Sequence, residues 1–266
     1  MRDLLKRIPR PDGQADAWNG VPLPPRYVAI SAEPADAWFV DGGNAAILEA
    51  PHFSLQQLRA VGVHYPKKVI IRKDIKVLLV REPEGWLAYD ENSVTTRIAE
   101  DELQEVVTRV RQQLEHGIAN ECLAQNNGIV VLDGDIAPAG CLALQKSVTT
   151  LTTRGFPLSA VLTATGPWST QLGEVYAVKL DKRARHVFLV HGVTDTKQLR
   201  VLAHYSHDAI FPGYPGGLVL ADRLARVSNE ERESLRIHAR SMLKGLREHV
   251  AAAEAAADSH TILDSM

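Results

Sequence analysis

The chain has 266 residues, 45% of them hydrophobic and 23% charged, with 30 Lys and Arg against 32 Asp and Glu. That composition excludes a polycation, a disordered chain and a collagen-like one, and it is long enough to bury a sizeable core. Two cysteines, Cys122 and Cys141, exclude a disulfide scaffold and a four-thiolate zinc module, and point to free buried thiols. No apolar run reaches the roughly 20 residues of a membrane helix. The start of the chain has no signal-like apolar stretch, so the expectation is a cytoplasmic protein without a membrane role.

Residues 1–26 are rich in Pro, Asp, Arg and Gly and read as an extended arm. A single domain is expected over 27–258, with a polar tail at 259–266. Ala37–Asp41, Asp-Gly-Gly-Asn and Ala45–Leu48 read as strand, tight turn, strand. Further strands are expected at Leu55–Tyr65, over two aliphatic stretches in Lys68–Arg81, and at Trp86–Tyr89. Leu103, Val106, Val107, Val110, Leu114, Ile118 and Cys122 fall at helical spacing, which predicts one long amphipathic helix closed by Asn126-Asn127-Gly128. Ile129–Leu132 is a wholly apolar strand ending in Asp133-Gly134-Asp135. A helix is expected at Ala139–Arg154, strands at Ala160–Thr165, Val175–Leu180 and His186–Val190, and a helix at Thr194–His207. A Phe-Pro-Gly-Tyr-Pro-Gly-Gly loop at Phe211–Gly217 leads into a helix at Leu218–Arg226 and a longer one from Asn229 to Ala257.

Four acids sit beside apolar segments: Asp41, Glu115, Asp133 and Asp222. Carboxylates converging from several elements suit hard divalent cations, and a pair of such ions activates water and stabilises the leaving oxygen in phosphodiester hydrolysis. Each acid also has an ordinary role. Asp41-Gly42 and Asp133-Gly134 are common turn dipeptides. Glu115 can pair with Arg111 one turn earlier, and Asp222 can sit in the first turn of a helix.

Phe39-Val40-Asp41-Gly42-Gly43, Ile129-Val130-Val131-Leu132-Asp133-Gly134-Asp135, and Phe211-Pro212-Gly213-Tyr214-Pro215 followed by Ala221-Asp222-Arg223-Leu224-Ala225 together resemble the NurA nuclease family. The resemblance implies an α/β, RNase H-like mixed sheet flanked by helices, with C-terminal helices. It implies a Mn²⁺-dependent nuclease, with Mg²⁺ as an alternative, that degrades DNA ends as a homodimer beside a HerA-like hexameric ATPase. On that resemblance the ligands fall on Asp41, Asp133, Asp222 and Glu115, with Glu121 a competitor for the helix glutamate. Gly43 departs from it, because the family usually carries Ser there. The usual lysine is not visible near Thr163–Ser169, and Gly216-Gly217 also departs from the pattern.

DNA contact calls for cations, and the candidates are Lys67, Lys68, Arg72 and Lys73, then Lys179, Lys182, Arg183 and Arg185. Tyr65, Trp86, Trp168 and Tyr214 are candidates for stacking on bases. Solvated strand edges and loops account for the cations equally well, and core or rim packing is the commoner role of such aromatics. No Gly-x-x-x-x-Gly-Lys-Ser/Thr loop occurs, so ATP-driven translocation falls to a partner. Two other readings stay open: a haloacid-dehalogenase-type phosphatase with Asp133 as nucleophile, and a non-catalytic adaptor of a ring ATPase.

Overall fold

The computed structural model describes residues 16–23, 25–91, 95–125, 128–146, 151–243, 245–246 and 248–255. Its contacts divide the chain into two compact units. One takes Met1–Phe39, His64–Lys67 and Gln125–Val219; the other takes Val40–Val63, Lys68–Ala124 and Leu220–Met266. No helix among the described residues is long and apolar enough to cross a membrane.

The first unit opens with a hairpin, β1 (Asp16–Trp18) and β2 (Val21–Leu23). Its sheet runs β3 (Val28–Ala29), β11 (Trp168–Leu172), β12 (Val175–Lys179), β13 (Phe188–His191), β10 (Leu142–Lys146), β9 (Ile129–Asp133), and then the first residues of β4 (Ala37–Ala50). β9 and β10 are parallel, with Leu144 opposite Asp133. The β10–β13, β13–β12, β12–β11 and β11–β3 pairs are antiparallel, so the sheet is mixed. One core gathers Phe39, Val131, Leu142, Leu144, Val178, Phe188 and Val190 under Leu199 and Leu202 of α3 (Lys197–His204) and under Leu218. A second gathers Leu158, Leu162, Trp168, Leu172 and Leu189 with Leu23, and Trp18 packs on it. Burying a side chain of this size contributes about 1.5–3 kcal/mol, so the hairpin belongs to the body.

The second unit carries the meander β4, β5 (Phe53–Tyr65), β6 (Ile70–Glu82), β7 (Gly85–Asp90) and β8 (Thr95–Ile98). The pairs from β5 to β8 are antiparallel. The stripe Val106, Val107, Val110, Leu114, Ile118 and Cys122 of α1 (Leu103–Ala124) is buried, as its spacing requires. α4 (Gly216–Ala225) runs into this unit, and α5 (Asn229–Met242) follows with Ser228 accepting from the Glu231 N–H as its N-cap. Leu235 and Ala239 of α5 pack on Ile47, Leu48 and Val250.

Several expectations are corrected. Residues 16–23 are the hairpin just described, anchored where Asp16 accepts from the Arg154 N–H and Ala17 O accepts from the Thr153 N–H. The expected arm therefore shortens to residues 1–15, which lie outside the described residues, as do Asn126-Asn127 and the tail at 259–266. The expected turn at Asp41-Gly42-Gly43-Asn44 is continuous strand. Within the expected helix at 139–154, Leu142–Lys146 is β10 instead, and residues 147–150 lie outside the described residues. Ala, Leu and Gln favour helices, but Leu142, Ala143 and Leu144 are fully buried beside β9, and that burial decides. The strand expected at 160–165 is displaced by one helical turn, α2 (Leu158–Val161). β11 takes its place, tied to β12 by a two-residue hairpin with Gly173 at φ +65°. The long C-terminal helix is interrupted after Met242, with Gly245 at φ +79° and helix resuming at 248–255. Cys122 and Cys141 are buried thiols, and burial pushes the Cys141 thiol up to about 11.

Candidate metal centre

Strand β4 carries Asp41 between buried Val40 and a pair of glycines. Neither glycine has a positive φ. What requires them is close approach. A Cβ on Gly42 would lie 2.3 Å from Glu115 Oε1, and one on Gly43 would lie 2.4 Å from the Ala225 carbonyl oxygen. α1 thus lays the Glu115 carboxylate against the residue next to Asp41, and the end of α4 lies against the residue after that. Asp222 lies less than one turn before Ala225, on the same helix. The departure at Gly43 follows from this packing, because even a serine Cβ has no room there.

Asp41 and Glu115 are both buried, at 8% and 5% exposure. Asp41 Oδ1 accepts from the Gly42 N–H at 2.7 Å, which fixes its carboxylate close to the backbone. Arg111 donates to the Gly42 carbonyl at 3.2 Å, and its Nε stands 3.5 Å from Glu115 without a hydrogen bond. Glu121, the competing helix acid, is exposed. Asp222 is half-exposed and accepts from Arg226 at 2.5 Å.

In the first unit, Asp133 ends β9 and accepts from Lys146 Nζ at 3.1 Å. The Lys146 amine also stands 5.2 Å from the centre of the Tyr214 ring, which tilts against Phe188. Asp133-Gly134 does turn the chain, with Gly134 at φ +126°. Among the described residues, no three His, Cys, Asp or Glu side chains are spaced to hold a metal ion. The physical reason is visible in the partners: Glu115 faces Arg111, Asp222 faces Arg226, and Asp133 faces Lys146. The donor set is all carboxylate oxygen, which fits Mg²⁺ or Mn²⁺ and not a softer metal.

Lys67 and Lys68 are exposed on the β5–β6 turn, and Arg72 and Lys73 on β6, with Arg72 paired to Asp74 at 2.6 Å. Lys182, Arg183 and Arg185 are exposed on the turn after β12, and Lys179 is half-buried. Arg183 is a structural cation: it donates to Asp181 and to the carbonyls of His207 and Asp208. Trp86 and Trp168 are corrected as stacking candidates, since both rings are core and their N–H groups donate to Asp101 O and Ala164 O. Tyr65 packs on Phe39 and Tyr205.

Two residues of the machinery were not singled out from sequence. Lys146 lies two positions beyond Leu144, the register partner of Asp133, so parallel pairing brings it to that carboxylate. The second is Arg59, almost fully buried. It donates to Asp74 at 2.6 Å, to the Arg226 carbonyl at 2.9 Å and to Glu231 at 2.5 Å. It therefore caps the end of the helix that carries Asp222.

No protein-family model and no curated protein matches the chain. Two solved structures share its fold. One is the NurA nuclease from Sulfolobus solfataricus, 13% identical, with a TM-score of 0.58, covering 91% of this chain and 92% of that one. The other is a second NurA crystal structure, 10% identical, with a TM-score of 0.52, covering 82% and 89%. At such identities the likeness establishes the fold alone.

Proposed function

Since the chain has a NurA-like nuclease fold, we propose that it is a metal-dependent deoxyribonuclease. It hydrolyses phosphodiester bonds at DNA ends, as a 5′–3′ exonuclease and single-strand endonuclease. The observation that carries this reading is the glycine pair in β4, which brings a buried glutamate and the end of the Asp222 helix against the two residues after a buried aspartate. Burying two acids such as Asp41 and Glu115 is costly and gives little stability by itself.

Asp41, Glu115 and Asp222 of the second unit would hold Mn²⁺ or Mg²⁺, and the family resemblance also names Asp133 as a ligand. Such an ion supplies an activated water and charge neutralisation at the leaving oxygen. The chain's own residues do the rest. The Gly42 N–H holds Asp41 in one orientation. Arg111 stands beside Glu115 and donates to the Gly42 carbonyl, linking α1 to the strand. Arg226 pairs with Asp222 and Lys146 with Asp133, and a bound divalent ion would take those carboxylates in their place. Lys67, Lys68, Lys182 and Arg185 offer phosphate contacts from exposed turns, and Arg72 and Lys73 from β6.

A homodimer and a HerA-like hexameric ATPase complete the proposal, and both rest on the resemblance. Light scattering at micromolar concentration tests the dimer, and a monomeric mass refutes it. Incubation with linear and circular DNA plus Mn²⁺, Mg²⁺ or chelator tests the activity. Metal-dependent loss of the linear substrate is expected, and inert DNA in every lane refutes the reading.

A further inference from the structure

We propose that Ile210 and Phe211, with the cationic turn 181–185, form a binding site for the unpaired bases of a single-stranded nucleic acid. Two large apolar side chains stand next to each other at the tip of the α3–α4 connection, 78% and 51% exposed. The tip is not slack. Asp208 Oδ1 accepts the N–H groups of Ile210 at 2.7 Å and of Phe211 at 3.0 Å. The Gly213 N–H donates to Ser206 O at 2.8 Å, and the Tyr214 N–H to Phe211 O at 3.1 Å.

The connection is also interlocked with the turn after β12. Gly213, at φ +91°, lies so close to Ala184 that a Cβ there would be 2.4 Å from the alanine methyl. Buried Asp181 accepts from Arg183 at 3.1 and 3.2 Å and faces His207 Nδ1 at 2.8 Å, while Arg183 reaches the carbonyls of His207 and Asp208. These bonds satisfy both aspartates locally. Lys182 and Arg185 are left exposed on the turn that grips the apolar tip.

A rigid aromatic in a cationic frame matches one ligand chemistry closely. Phosphates take the cations, and any base offers a face for the ring, so binding is strong without reading sequence. A duplex keeps its bases stacked inside, out of reach of such a tip. The site would seat the frayed or resected strand of the substrate proposed above, and for that ligand class it rests on the nuclease reading.

The test is fluorescence anisotropy of a short labelled single strand with the full chain in chelator, so that nothing is cleaved. The same titration is run on an abasic strand of equal length. Phe211→Ala should weaken binding of the base-bearing strand by roughly 5- to 100-fold. Phe211→Leu, which keeps the apolar volume, should also lose most of that affinity. Neither should change the abasic strand by more than about twofold, since no base is there to stack. Lys182→Gln with Arg185→Gln should weaken both strands and flatten the salt dependence by about 1.4 in the log–log slope. Equal loss on both strands, or no loss, overturns the proposal. So does a shift from dimer to monomer in Phe211→Ala with base-dependent binding intact, which assigns the tip to a second copy of the chain. Base-dependent binding without Mn²⁺-dependent cleavage refutes the nuclease reading and leaves this site standing; the reverse refutes the site alone.

Discussion

Adjacent Gly→Ala substitutions at positions 42 and 43 should fail in different ways. Both glycines lie in extended backbone with no positive φ, so alanine is free of strain there and lowers the entropy of the unfolded chain, worth about 0.4–1 kcal/mol in favour of folding. At position 42 the new methyl meets only the Glu115 side chain, at 2.3–2.9 Å. That side chain can rotate away, so the stability change should stay within about 1 kcal/mol. The carboxylate, however, must leave its place against Gly42, and a displacement of about 1 Å in a catalytic group costs on the order of 100-fold in rate. At position 43 the methyl meets backbone, the Ala225 carbonyl at 2.4 Å, and a helix end must move. Overpacking of that kind costs about 1–3 kcal/mol, or roughly 2–10 °C in Tm for a chain of this size. Calorimetry and Mn²⁺-dependent cleavage of both variants decide the matter. Gly42→Ala should be stable and slow, and Gly43→Ala unstable. If Gly42→Ala cleaves at the wild-type rate, Glu115 has no part in the site.

Arg59→Met takes this donor from the Arg226 carbonyl and from Glu231, and leaves Asp74 with Arg72 alone. The two acids are a third or more exposed and regain water, so the loss should be about 2–3 kcal/mol rather than the 3–5 of a fully buried pair, read as a fall in Tm. Asp181 is held well below the usual carboxylate range, first by hydrogen bonding from Arg183, against the opposing effect of burial, and then by His207. A folded-state value below the unfolded one stabilises above the unfolded value, near pH 4, and is lost as pH falls towards the folded value. Asp181→Asn should therefore melt below wild type at pH 7, and the two curves should converge below about pH 4. The charged N-terminal arm is the segment expected to dock the proposed HerA-like ATPase, so deleting residues 1–15 should abolish co-elution while leaving cleavage intact. A longer deletion through residue 23 should also lower Tm, since Leu23 is core. Unchanged co-elution of the shorter deletion refutes the role of the arm.

Legibility in the sequence followed the physics of each segment. α1 was plain because its buried stripe repeats at helical spacing. The β5–β7 strands were plain because β-branched and aliphatic runs have few other uses. β4 was misread at Asp41-Gly42-Gly43 because glycine pairs usually mark turns, whereas these glycines make room for Glu115 and Ala225, and nothing local announces that. β10 was misread because its residues favour helix and only burial beside β9 overrides them. The acids were legible as types and positions. Their partners were not: Lys146 reaches Asp133 through strand register, and Arg59 joins residues up to 172 positions away.

In the proposed reaction, carboxylates on separate elements act through a divalent cation to cut DNA. Cleavage of linear DNA with saturating Mn²⁺, compared among wild type, Asp41→Asn, Asp133→Asn and the double variant, tests it most directly. Each single substitution keeps the side-chain shape and removes a charge. Each should lower the rate by at least roughly 100-fold, with the double variant little worse, because groups acting as one unit are not additive. Wild-type cleavage by Asp41→Asn or Asp133→Asn would contradict the account. So would a wild type inert on DNA that instead dephosphorylates small esters, which would hand the site to the phosphatase chemistry of Asp133.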